Sequence, residues 1–323
     1  MASRPAQLPT AQLAHASRSK FGALTALLSV MAMVVQLAAA VPVKAALPAS
    51  RTMIRVAAAE NFWGSIASQI GGTHVSVISI ITNPTTDPHS YEPSAADART
   101  LASAQLVIEN GIGYDPWVAR LLDADQGTVT LLNVGDLLGV NEGANPHRWY
   151  GPGDVQRVIG RIVTDLGQID PVDRTYFARQ RIAFNTIALK RYRATIARIK
   201  TKYAGTPVGA SESIFAMLAP ALALHLITPP TFLRAISEGS DVSSADKETI
   251  DRQIRRHQIK IYVYNSQNVT PDVQAQLREV KVEHIPTATI TETLAPASTT
   301  YEAWQTKQLL AIEAALSLAE PEK

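Results

Sequence analysis

Two loops in this chain carry a histidine directly after a proline, and both have residue types that suit metal ligation. The first reads Asp87-Pro88-His89-Ser90-Tyr91-Glu92-Pro93-Ser94. The second reads Asn145-Pro146-His147-Arg148-Trp149-Tyr150-Gly151-Pro152-Gly153-Asp154. In each, an Asp or Asn precedes Pro-His, an aromatic residue follows, and then comes another proline. Proline stiffens a loop, and a stiff loop fixes an imidazole before an ion arrives. Two such loops at one edge of a sheet place His89 and His147 as ligands of one ion; the alternative is a pair of unrelated proline turns.

The elements around these loops follow α/β grammar. The apolar run Val75–Ile81 reads as a buried strand leading into the His89 loop. Ser94-x-x-Asp97 opens the next helix with a capping pattern. Strands are expected over 52–59, 75–81, 105–110 and 128–134. Helices alternate with them, one closing at Gly71-Gly72 and one opening at Asp115-Pro116. Val155, Val158, Ile159, Ile162, Val163 and Leu166 repeat at helical spacing. This order predicts a parallel sheet with ligands at the carboxyl ends of its strands.

From Val172 to Tyr203 there is neither Pro nor Gly. The stretch predicts one helix of about 32 residues, roughly 48 Å long, reaching from one domain to another; two helices with a hidden break are the alternative. A second α/β series then opens at Val208-Gly209-Ala210. Its expected elements are a helix within 211–218, a short helix after Thr228-Pro229-Pro230 and a helix capped by Ser243-x-x-Asp246. A strand over 259–264, a helix opened by Thr270-Pro271, a strand over 282–286 and a closing helix over 301–318 complete it.

Residues 1–45 combine Arg4, Arg18 and Lys20, an apolar run from Phe21 to Val43, and the small-residue site Val43-Lys44-Ala45. This is the pattern of a signal peptide, with an uncleaved membrane anchor as the other reading. The chain has no Cys, so disulfides, thiolate metal sites and a lipid-modified cysteine are excluded. Residues 46–323 carry 26 basic and 28 acidic side chains, a balance that gives no reason to expect nucleic acid. No Walker, His-Glu-x-x-His or Gly-x-Ser-x-Gly motif is present.

Together the two Pro-His motifs, LASAQLVIENGIGYDPWVARLL between them, LGQIDPVDRTYFARQ before the long helix, and the late IYVYNSQNVTP and TETLAPASTTYEAW resemble the metal-binding subunits of ABC importers. These are periplasmic zinc- or manganese-binding proteins with a rigid helical linker, and the resemblance covers about residues 52–318. It implies two parallel-sheet α/β lobes joined by one long linker helix, with the ion between them. The expected organisation is a signal peptide at 1–45, an N-terminal lobe at 46–170, a linker at 171–205 and a C-terminal lobe at 206–323. Carried over to this sequence, His89 and His147 match the N-lobe ligands and Glu212 matches the third. Glu292 falls where the family usually has Asp, one methylene shorter, so Asn265 or water is an alternative fourth ligand. Many zinc-binding members carry a His- and acid-rich loop before the second Pro-His; here 139–144 is short and has no histidine.

The resemblance implies a monomeric periplasmic carrier, not an enzyme. It would capture zinc or manganese as cargo and deliver it to an inner-membrane permease with its cytoplasmic ATPase, with no membrane insertion of its own. A secreted metallohydrolase or a metal-stabilised surface interaction protein are the alternatives. Exported protein should begin near Ala46. Amino-terminal sequencing checks this, and a start at Met1 would refute it.

Overall fold

The structure, a computed structural model, describes residues 52–86, 88–124 and 128–319, without the side chain of His89. The expected export segment lies outside the described residues.

Two four-stranded sheets, each wholly parallel, form the framework. The first comprises β1 (Ile54–Glu60), β2 (Val75–Ile81), β3 (Leu106–Glu109) and β4 (Thr130–Asn133), in the order β2-β1-β3-β4. The second comprises β5 (Pro207–Ala210), β6 (His225–Leu226), β7 (Ile261–Asn265) and β8 (Thr287–Ile290), in the order β6-β5-β7-β8. In each sheet the chain reverses its winding beside the first strand, so a crevice opens at the carboxyl ends of β1 and β3 and of β5 and β7. The strands of the first sheet are buried on both faces, with Val56, Leu106 and Ile108 on one side and Ala57 and Val107 on the other, as covered parallel strands require.

Helices α1 (Asn61–Gly71), α2 (Ala95–Ser103) and α3 (Trp117–Asp123) connect the first strands. Ser94 and Asp97 form the full reciprocal capping box at the start of α2. Gly64 lets α1 lie close on the sheet, because a methyl there would collide with Ser79 Oγ. The fourth strand is shorter than expected: it ends at Asn133, whose side chain accepts from Asp136 N–H and caps a short helix, α4 (Val134–Leu138). On α5 (Pro152–Ile169) Val155, Val158, Ile159, Ile162 and Leu166 face the core, as their spacing predicted.

The connecting helix differs from a plain 32-residue helix. After a 3₁₀ turn at Pro171–Asp173 it runs as α6 (Arg174–Ala183), a π-helical turn (Phe184–Ala188) and α7 (Lys190–Tyr203). Leu189 N–H donates to Phe184 C=O at 2.9 Å, five residues back, which inserts one residue into the spiral. The insertion has a packing reason. Continuing the stripe of Phe177 and Phe184 at seven-residue spacing would turn Arg191 and Arg198 inward. The extra residue turns Leu189, Tyr192 and Ile199 inward instead, all of them buried, and leaves Arg191 and Arg198 exposed.

In the second lobe, the expected helix within 211–218 is only a 3₁₀ turn at Phe215–Met217. The two-residue edge strand β6 carried no periodic signal. Helices α8 (Pro230–Ser237), α9 (Ser244–Arg255) and α10 (Pro271–Val282) follow their caps, with Ser243 and Thr270 accepting from Asp246 N–H and Val273 N–H. The strand expected at 282–286 is a correction. There α10 continues through Val282, His284 adopts a left-handed φ of 54°, and Ile285 N–H closes back on Val280 C=O at 3.0 Å. The strand starts only at Thr287. The closing helix, α11 (Tyr301–Ala319), packs on α7, β8 and α1, so one apolar core runs through both lobes and the helix between them. No helix among the described residues is long and apolar enough to cross a membrane.

The inward face of α7 should therefore carry stability and the π-turn surface should not. Ile199→Ala, fully buried, is expected to cost about 2–5 kcal/mol. Ile187→Ala, 75% exposed, should stay within about 0.5 kcal/mol. Urea unfolding of the metal-free protein measures both.

Candidate metal centre

His147 sits on the loop after α4 and is fully buried. Two asparagines clamp that loop. Asn110, the residue after β3, donates from Nδ2 to Pro146 C=O at 2.9 Å, while its Oδ1 accepts from Trp63 Nε1 at 3.2 Å. Asn145 Oδ1 accepts from His147 N–H at 3.1 Å and lies 2.7 Å from the ring Nδ1. Asn145 Nδ2 donates across to Ser213 C=O in the other lobe at 2.7 Å, which fixes which end of the amide faces the imidazole. Trp149 stacks on Phe62, with ring centres 3.9 Å apart, and packs edge-on to the His147 ring. With Nδ1 engaged, Nε2 is the nitrogen directed into the cleft.

Glu212 and Glu292 come from the other lobe, just past the carboxyl ends of β5 and β8. Glu292 Oε1 lies 3.0 Å from His147 Nε2 and accepts from the Tyr114 hydroxyl at 3.1 Å. Its Oε2 accepts from Asn265 Nδ2 at 3.1 Å. Gln267 Oε1 accepts from Glu292 N–H at 2.7 Å and anchors the loop. Glu212 is buried, and its Oε2 accepts no hydrogen bond. Burial, and then the neighbouring charge of Glu292, push the Glu212 carboxyl up to about 7, against the opposing pull of His147, Asn265 and Asn268. One ligand atom from each of His147, Glu212 and Glu292 lies within 4.8 Å of the others.

This arrangement suits a divalent cation. Two carboxylates share a buried space with one imidazole, and a buried carboxylate oxygen without a donor is costly. Nitrogen and oxygen donors of this kind fit zinc or manganese. A cation on the three groups would satisfy Glu212 Oε2 and screen the repulsion between the two acids.

The sequence-predicted residues fall as follows. His147, Glu212 and Glu292 are brought together. His89 belongs to a 3₁₀ turn, Pro88–Ser90, beyond β2, and its side chain lies outside the described residues. Its neighbour Pro88 lines a cavity of about 190 Å³ with Thr85, Thr86, Glu212 and Glu292, so the first Pro-His loop borders the same cleft. Asn265 serves as a donor to Glu292, because its Oδ1 already accepts from Gln267 N–H at 3.0 Å. Of the other histidines, His74 pairs with Asp173 and stacks on Tyr176, and His257 pairs with Glu283 at 3.1 Å.

Sequence reasoning missed Asn110, Tyr114, Asn145 and Ser213 as site residues. Asn145 opens the Asn-Pro-His motif, and Asn110 and Tyr114 follow the end of β3, so position at a strand's carboxyl end was the available signal. Behind them, the Asp115 carboxylate accepts from the backbone N–H groups of Asn110 and Gly111 at 2.7 Å each. Gly111, at φ 67°, supplies the turn.

Residues 56–315 match the family model described as zinc-uptake complex component A, periplasmic. The manganese-binding lipoprotein MntA of Halalkalibacterium halodurans is 28% identical over 122 residues, which is 36% of this chain and 40% of that protein. The iron-binding protein YfeA of Yersinia pestis is 28% identical over 126 residues, 37% of this chain and 40% of that protein. The chain thus aligns with about two fifths of the length of these relatives. Among solved structures, the periplasmic zinc-binding protein TroA of Treponema pallidum superposes with a TM-score of 0.70 at 18% identity, covering 82% of this chain and 99% of that one. The manganese-bound S38A mutant of a periplasmic metal-binding protein of Candidatus Liberibacter asiaticus gives 0.69 at 19% identity, covering 81% and 99%. At such identity these structures establish a shared fold, two parallel-sheet lobes joined by a long helix. With the family model matched over most of its length, the chain belongs to the periplasmic zinc-uptake component A family.

Proposed function

We propose that this chain is an extracytoplasmic solute-binding protein that captures a divalent transition metal, zinc or manganese, and delivers it to an ABC importer. The observation that carries the reading is the convergence of His147 from one lobe with Glu212 and Glu292 from the other, with Glu212 Oε2 buried and without a donor. His89 is the fourth ligand in this proposal, its loop bordering the same cavity. The lobes are residues 46–170 and 206–323, the linker 171–205, and the carrier works as a monomer in the periplasm. Its partners are a membrane permease and a cytoplasmic ATPase.

Ligands divided between two lobes suit a carrier. Docking that pries the lobes apart separates His147 from the two acids and weakens the site without chemistry. A hydrolase would instead keep its metal through turnover, and no observation favours that reading here.

Loading the protein with zinc or manganese should raise its melting temperature, since a ligand that binds only the folded state stabilises it. His147→Ala and Glu212→Gln should each lower metal affinity by about 100-fold or more, because loss of even an outer-shell partner costs 10–100-fold. His89→Ala should do the same. Melting curves with and without metal measure this, and an undiminished metal shift in all three variants would overturn the site.

The metal shift should also depend on pH. The folded Glu212 carboxyl titrates at about 7, above its ordinary value of 4.5. In the metal-free protein its contribution to stability is therefore present below the ordinary value and is lost as pH rises through about 7. A bound cation takes the ionised form and removes that loss. The gap between metal-bound and metal-free melting temperatures should widen from about pH 5.5 to about pH 7.5 as the Glu212 carboxyl ionises. Glu212→Gln should flatten the part due to the carboxyl. An equal gap at both pH values in the unsubstituted protein would contradict this.

A further inference from the structure

The cavity that holds the two acidic ligands meets solvent past the end of α8. One wall of this cavity of about 190 Å³ is the first Pro-His loop, through Pro84, Thr85 and Pro88. Glu212 and Glu292 also line it, and the opposite wall is the turn at residues 236–239 with Asn268 beside it. Asn268 Nδ2 donates to Ile236 C=O at 3.1 Å and ties that turn to the loop after β7. Ser237 and Glu238 line a second cavity as well, a wider one of about 680 Å³ between the His147 loop and α8. The two cavities therefore adjoin at these two residues. Ser237 is buried, its hydroxyl 2.6 Å from Ser213 Oγ, whereas Glu238 is exposed. Among the described residues that line the smaller cavity, Glu238 is the one acid besides Glu212 and Glu292, and none is Lys or Arg. Arg234, one turn earlier on α8, lines the wider cavity and not the smaller one.

Helix stability gives no reason for an acid at this position. The carbonyl groups at the end of a helix carry partial negative charge, which favours cations there and disfavours carboxylates. Glu238 closes α8: its N–H donates to Arg234 C=O at 2.9 Å, and Gly239 then turns the chain at φ 63°. The helix end and the carboxylate thus add up to one negative potential at the mouth of the metal cavity. A cation arriving from water meets that potential before it meets His147, Glu212 or Glu292, which are all buried. Charge of one sign in a cleft with low-dielectric walls concentrates counter-ions and speeds their association. We infer that Glu238 is a capture residue, which draws the hydrated divalent cation to the mouth of the cavity and speeds its entry without joining the ligands that hold it. The inference rests on the metal-carrier reading above and adds to it the route by which the ion reaches the site.

Stopped-flow mixing of zinc or manganese with the metal-free exported protein, followed by the loss of free metal from a fluorescent indicator, measures the association and dissociation rates. In Glu238→Gln the association rate constant should fall about threefold at ~10 mM salt, and the difference should vanish near ~1 M, where charges are screened beyond about 3 Å. Glu238→Lys, which reverses the charge, should lower the rate about tenfold at low salt. The equilibrium affinity should change by no more than the association rate does. The metal-free melting temperature of Glu238→Gln should equal or exceed that of the unsubstituted protein, since the substitution removes an unfavourable charge from the helix end. An unchanged association rate in both variants, or a fall that persists at high salt, would overturn the inference. So would a loss of affinity of about 100-fold carried by faster dissociation, which would make Glu238 a ligand. Those outcomes leave the carrier reading standing; that reading fails, and this inference with it, if the unsubstituted protein binds neither metal.

Discussion

Two carboxylates and an imidazole, all removed from water, meet where the two lobes touch. Glu212 and Glu292 repel one another when ionised, and burial makes that repulsion stronger than it would be in solvent. Protons can relieve the tension at low pH, and a divalent cation can relieve it at neutral pH. The rest of the molecule is arranged so that this crowding persists until a cation arrives. Parallel strands bring the loops to one edge, and the apolar core that runs through both lobes keeps the two edges facing each other.

That arrangement depends on hydrogen bonds spent on loops rather than on ligands. Asn110 and Asn145 immobilise the Pro146-His147 peptide, and Gln267 holds the backbone of Glu292 and Thr293 through one carbonyl oxygen. Further links tie the lobes together beside the site: Asn145 to Ser213, Tyr150 to the carbonyl of Thr291, and Leu294 N–H to Asn61. Each joins segments far apart in sequence. The site is therefore preorganised by polar contacts in a molecule whose lobes are already packed on a shared helix. Small tilts of the lobes are the motions such a connection permits, because α6 and α7 form a nearly continuous rod docked on α5 and α11.

The π-helical turn in that rod illustrates how tertiary packing overrides a local pattern. Nothing in the residues from Phe184 to Ala188 forbids an ordinary helix. What decides the matter is the pairing of two apolar stripes that are out of phase by one residue, each facing a different part of the core.

Much was legible in the sequence because it is written locally. Strand and helix order follows from apolar periodicity, and the caps at Ser94, Ser243 and Thr270 lie within three residues of the groups they satisfy. The two Pro-His loops stand out because proline and histidine share a short motif, whereas Glu212 and Glu292 became visible only through a family resemblance. The sequence could not reveal α4, the late start of β8 or the π turn. Val134 and Val282 have the composition of strand residues, and their true settings are decided by a cap at Asn133 and a left-handed turn at His284. Nor could it reveal that Tyr114 meets Glu292, 178 positions away, or that Glu212 Oε2 would be left without a donor. Periodicity and caps are properties of neighbouring residues, but a donor's partner and a carboxylate's isolation exist only once distant segments have been packed side by side.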